Sequence, residues 1–89
     1  MKNHLIMYYG EGCPDCIKME PLLGKLLFET GISLLQKEVW NDSKNEAEML
    51  RHDRDDLCGG VPFFLNTKKK KTLCGEVSYK ELKKWAEDK

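Results

Sequence analysis

Cys13-Pro14-Asp15-Cys16 is the only place in this 89-residue chain where two cysteines stand close in sequence. Two intervening residues let the sulfurs join without unwinding a helix that begins between them. Pro14 suits a first helical turn, because its φ is fixed and its missing N–H is not needed there. Cys13 then lies beside the unpaired N–H groups of a helix N-terminus. Their partial positive charge favours thiolate and lowers a thiol pKa below ~8.5. Cys13 is therefore the expected exposed nucleophile. Cys16, one turn into the helix, can attack a mixed disulfide on Cys13, leaving a reduced substrate and a Cys13–Cys16 bond. Asp15 modulates the pair. Its carboxylate suits the first helical turn, but an anion near Cys13 raises the thiol pKa and makes the site more reducing.

The surrounding pattern supplies the elements that hold this pair. Leu5 to Tyr9 is a short apolar, aromatic run that reads as a buried strand, and Gly10-Glu11-Gly12 breaks it. Ile17, Leu22, Leu23, Leu26 and Leu27 recur at helical spacing to about Glu29, Gly31 is a terminator, and Pro21 is expected to kink the helix. A second strand is expected over 32–39. Ser43-Lys44-Asn45-Glu46 has the capping-box pattern for a helix to about Asp53. After Gly59-Gly60, the run from Val61 to Leu65 reads as a strand. Its Phe63 and Phe64 should face opposite, covered sides of the sheet. Asn66 to Lys70 reads as a hairpin tip, and Thr72 to Cys74 as the return strand. Ser78-Tyr79-Lys80-Glu81 is a second capping box, opening a helix with Tyr79, Leu82 and Ala86 on one face and Trp85 beside them. The order is β-α-β-α-β-β-α. A right-handed crossover makes the first two strands parallel, and the short hairpin makes the last two antiparallel. An α/β fold follows, a four-stranded mixed sheet flanked by three helices, as a single domain over 1–89.

Lys and Arg total 15 and Asp and Glu total 15, so no net field draws the chain to nucleic acid or a membrane. No apolar run is long enough to span a bilayer or to form a signal peptide. The expected setting is cytoplasmic and the expected state monomeric. A secreted two-disulfide framework is the weaker reading of the four cysteines. Cys58 precedes Gly59-Gly60 and is expected near the rim of the site, as an inert loop thiol or a third redox-active or regulatory cysteine. Cys74 reads as a small packed hydrophobe. A zinc site using all four would require Cys74 to reach across the sheet. Trp40 and Trp85 read as packing aromatics. Lys68 to Lys71 reads as a solvated tip that blunts an edge against aggregation.

Tyr8-Tyr9-Gly10-Glu11-Gly12-Cys13-Pro14-Asp15-Cys16, the Val61-Pro62 pair and Gly75 before the last helix together resemble the thioredoxin superfamily, over nearly the whole chain. Cys-Pro-x-Cys after Gly, close to the N-terminus, is similar to glutaredoxins. Pro21 is similar to the helix-kinking proline of thioredoxins. The resemblance implies a thioredoxin-like fold, a cis Pro62 packed against the cysteine pair, and a Val61 whose backbone groups meet an extended peptide or glutathione. Gly12 stands where thioredoxins carry Trp, and Met7 where their buried Asp would align, so proton transfer from Cys16 uses another group or water. Gly10 replaces a glutaredoxin Lys, and Cys74-Gly75-Glu76 echoes only part of a glutathione site. Arg51 or Arg54 could meet a glutathione carboxylate, though both read first as solvated helix charges.

The sequence therefore predicts a thiol–disulfide oxidoreductase with no bound cofactor. Its partners would be disulfide-containing proteins or glutathione, with a flavoprotein reductase as a further electron donor. The alternatives are a module binding a soft metal or an iron–sulfur cluster through the pair, and a redox-silent domain binding a peptide at Val61-Pro62.

Overall fold

Strand β1, Leu5–Tyr9, is buried on both sides, and the rest of the chain is arranged around it. The computed structural model describes residues 4–53 and 58–87. Arg54, at the end of the second predicted helix, lies outside the described residues. Helix α1 is Pro14–Thr30, strand β2 Leu35–Glu38, helix α2 Ser43–His52, strand β3 Phe63–Asn66, strand β4 Lys71–Cys74 and helix α3 Tyr79–Ala86. The sheet order is β2-β1-β3-β4. β1 and β2 are parallel, while β1–β3 and β3–β4 are antiparallel. The expected α/β class, mixed sheet and three helices are present.

Alternation along the two central strands divides the core. Leu5, Met7 and Phe64 face α1 and α3, where they meet Met19, Leu26, Leu82 and Trp85. Ile6, Tyr8, Phe63 and Leu65 face the other way, toward Met49 of α2 and Val39. Phe63 and Phe64 thus take opposite covered faces, as expected. Trp85 sets its edge against Phe64, and its indole N–H donates to the Lys71 carbonyl at 3.1 Å. Ser78 caps α3 with the expected box to Glu81. Tyr79 is only half-buried, and its hydroxyl donates to Glu29 at 2.7 Å.

Several expectations shift. α2 is capped by Asp42, not by a box at Ser43, because the Asp42 carboxylate accepts the N–H groups of both Lys44 and Asn45. β2 starts at Leu35, later than expected. Gly31 ends α1 in the left-handed region and the Thr30 hydroxyl takes the Ile32 N–H, which uses the intervening residues for a turn. The Val61–Pro62 bond is cis, and β3 starts at Phe63 because Pro62 has no N–H for a ladder. α1 runs through Pro21 as one element. Its buried face centres on Met19, Leu22, Leu23 and Leu26, which leaves Ile17 and Leu27 about half-exposed and Phe28 exposed.

Among the described residues, no helix is long and apolar enough to cross a membrane.

Candidate functional site

The topology gathers one edge of the sheet. The ends of β1, β2 and β4 and the start of β3 lie together, since Tyr8 pairs with Phe63, Tyr9 with Glu38, and Phe63 with Cys74. The first turn of α1 rises from that edge. A crevice at the carboxyl ends of parallel strands is where α/β sheets commonly bind ligands.

Cys13 is the N-cap of α1 and is joined to Cys16 by a disulfide, with Cα atoms 5.2 Å apart. The Cys16 N–H donates to the Cys13 sulfur at 3.1 Å, so the helix N-terminus points one of its free donors at this atom. The loop before it is tightened by the Cys13 N–H on the Gly10 carbonyl at 3.0 Å and by Gly12 at φ 86°, which a side chain would resist. Pro14 and Asp15 occupy the first two helical positions, both exposed. Cys13 is not exposed as expected. In the disulfide it is 4% accessible and Cys16 is 3%, because both sulfurs pack into the α1–α3 face of the core.

Val61 and Pro62 come to this pair. The Val61 carbonyl oxygen lies 4.0 Å from the Cys13 sulfur, and the Pro62 carbonyl accepts the Gly75 N–H at 2.8 Å. Val61 packs on both halves of the core.

Cys58 and Cys74 are neither a lone loop thiol nor a packed hydrophobe. They form a second disulfide, with Cα atoms 5.2 Å apart. The pairing register of β3 and β4 brings Cys74 beside Phe63, near the segment that Cys58 opens, a juxtaposition that sequence spacing does not reveal. Cys74 is exposed and Cys58 half-buried. The buried Asp53 carboxylate accepts the N–H groups of Cys58 at 2.9 Å and Gly59 at 3.1 Å. Among the described residues, no group of three or more His, Cys, Asp or Glu is placed to hold a metal ion. The four cysteines are gathered two by two. Arg51 is exposed on the last turn of α2.

Two residues at the site escaped the sequence reading. Trp40 is 57% exposed, not packed inside, and its indole covers Gly10. A Cβ at Gly10 would sit 2.2–2.6 Å from that ring, so the glycine exists for close approach as well as for breaking the strand. Glu38 ties the two loops together. Its carboxylate accepts the N–H groups of Glu11 at 2.9 Å, Trp40 at 3.1 Å and Asn41 at 2.8 Å. These bonds, that from Glu11 first, hold its carboxyl below the usual glutamate range. The signal for Glu38 was available only as an acidic residue at the end of a strand, a weak one.

In comparisons with known proteins, no family model and no curated protein matches this chain.

Proposed function

We propose that this chain is a thiol–disulfide oxidoreductase of thioredoxin-like fold that cycles Cys13 and Cys16 between dithiol and disulfide. The observation that supports it best is the Cys13 sulfur at a helix N-terminus, within 3.1 Å of the Cys16 N–H and 4.0 Å of the Val61 carbonyl. In the reduced form the helix end stabilises a Cys13 thiolate. The thiolate attacks a substrate disulfide, forming a mixed disulfide and releasing one substrate thiol. Cys16 then attacks the Cys13 sulfur and releases the second. Two electrons and two protons pass from the pair to the substrate. Met7, apolar and buried, offers no base for Cys16, so that proton passes through another group or water.

The Val61 backbone gives an extended peptide an edge to align against while its sulfur approaches Cys13. Acidic Glu11 and Asp15 flank the pair, and Lys18 is shared with Glu76 at 3.7 Å. This charge pattern favours a disulfide-bonded protein over the anionic glutathione as substrate. Glutathione or a flavoprotein reductase would return the electrons.

The test is reduction of insulin with dithiothreitol as electron source. The wild-type protein should accelerate it, Cys13→Ser should abolish the acceleration, and Cys16→Ser should trap a mixed disulfide on Cys13. Equal rates with wild type and Cys13→Ser would overturn the reading.

A further inference from the structure

We propose that Cys58–Cys74 is a second redox site, opened by a thiol reductant, whose state sets the reactivity of Cys13 through the Val61 segment. This rests on the reading of Cys13–Cys16 as a redox-active pair.

The two disulfides differ in access. Cys13 and Cys16 are buried, whereas Cys74 is exposed at the end of β4. Thiol exchange needs a thiolate to reach a disulfide sulfur, and exposed disulfides are the labile and regulatory ones. A reductant thiolate attacks the Cys74 sulfur, the S–S bond breaks, and Cys58 leaves as a thiolate that takes up a proton. A second reductant thiol attacks the mixed disulfide, freeing Cys74 as a thiol and completing the reductant's own disulfide. Two electrons and two protons have then moved from two thiols to the Cys58–Cys74 bond.

The consequence follows from what the bond holds. Cys58 stands three residues before Val61, and Cys74 pairs with Phe63, two residues after it. The intervening Gly59 and Gly60 contribute no side chains to pack, and Gly59 has φ 68°. The segment is tied by the disulfide, by Asp53 on the N–H groups of Cys58 and Gly59 and by Gly75 on the Pro62 carbonyl, and Val61 also packs on both halves of the core. Opening the disulfide slackens Val61, whose carbonyl faces the Cys13 sulfur. Asp53 still holds Cys58 in place, so the bond can re-form. A carbonyl oxygen beside a sulfur favours the thiol over the thiolate. Its withdrawal raises the Cys13 thiolate fraction and makes the Cys13–Cys16 pair more oxidising.

The experiment is a titration of the full chain in glutathione and dithiothreitol redox buffers; at each potential one portion is quenched in acid, differentially alkylated and mapped by mass spectrometry, and another receives a timed alkylation pulse at neutral pH that reads the Cys13 rate. Circular dichroism follows folding in parallel. The Cys58→Ser/Cys74→Ser variant is titrated beside the wild type. In wild type, Cys58 and Cys74 should become alkylated together and reversibly while the chain stays folded. Cys13 alkylation should speed up when they open. The variant should shift the Cys13–Cys16 equilibrium with glutathione by about tenfold toward the dithiol, about 30 mV. Should the variant fail to fold, the wild-type Cys13 rates in the open and closed states decide alone. A Cys58–Cys74 bond that stays closed until the chain unfolds overturns the proposal, as does one that opens without changing Cys13. Both outcomes leave the Cys13–Cys16 couple visible on its own peptide. Absence of that couple instead defeats the oxidoreductase reading itself.

Discussion

Asp15 sits at the second position of α1, two residues from Cys13, whose sulfur lies at the helix end. The helix N-terminus and the carboxylate act on that sulfur with opposite signs, and the exposed carboxylate acts through solvent, so its effect is modest. Asp15→Asn should speed alkylation of reduced Cys13 by about two- to fivefold at neutral pH. Unchanged alkylation would mean that the carboxylate does not reach the sulfur. Gly10 is decided by volume. Gly10→Ala places a methyl inside the Trp40 indole, and because that ring is already half in solvent it swings away. Emission of Trp40, read in a Trp85→Phe background, should change. Overpacking of this kind costs about 1–3 kcal/mol, reduced here by the ring's freedom to leave. These cases show what single residues disclose. Cys13 and Cys16 stood out in the sequence by their spacing, whereas Val61 was singled out only through the family resemblance. Trp40, Glu38 and the Cys58–Cys74 pairing were not legible, because each depends on a contact between segments distant in sequence.

Between elements, Glu48 joins α2 to the sheet. It accepts the Tyr8 hydroxyl from β1 and two bonds from Lys37 of β2, at 2.9 and 2.8 Å. Burial alone would raise its pKa, but Lys37 and Tyr8 outweigh burial and hold the carboxyl below its ordinary value. A depressed folded pKa means the stabilisation is present above the unfolded value of 4.5 and is lost as pH falls through the folded one. Glu48→Ala leaves the buried Tyr8 hydroxyl without its acceptor and should cost about 1–3 kcal/mol at neutral pH. Urea melts at neutral pH and well below 4.5 should show the gap to wild type narrowing on acidification. Burial and Glu48 raise Tyr8 itself above the ordinary 10.0, so stability should also fall as pH rises past that value. The elements were more legible than this tie between them. β1 and the Ser78 box were predicted to the residue, because hydrophobic runs and caps are local. The cap of α2 slipped by one residue because Asp42 and Ser43 are both good caps, and only the backbone path selects between them.

For the whole molecule, two disulfides act on a chain whose core is small. A chain of this size buries only about 60–65% of its unfolded surface, so cross-links are a substantial part of its stability. Loop entropy ranks the two. Cys58–Cys74 spans 16 residues and Cys13–Cys16 spans three. The corresponding losses on opening are about 3 and about 2 kcal/mol. Each kcal/mol moves the melting temperature of a domain this size by about 4–8 °C. Cys58→Ser/Cys74→Ser should therefore melt roughly 12–24 °C below the oxidised wild type, and Cys13→Ser/Cys16→Ser should fall less. The ranking bears on the switch proposed for Cys58–Cys74. A domain with about 5–15 kcal/mol in hand remains folded after losing about 3, and only then can the open state act on Cys13 rather than unfold. Melts of the two double variants, with and without a phosphine reductant, measure both quantities. If the Cys58→Ser/Cys74→Ser variant is unfolded at 25 °C, the second disulfide is a staple that the fold requires. If it melts well above that temperature, the Val61 segment is free to respond while the sheet stays intact.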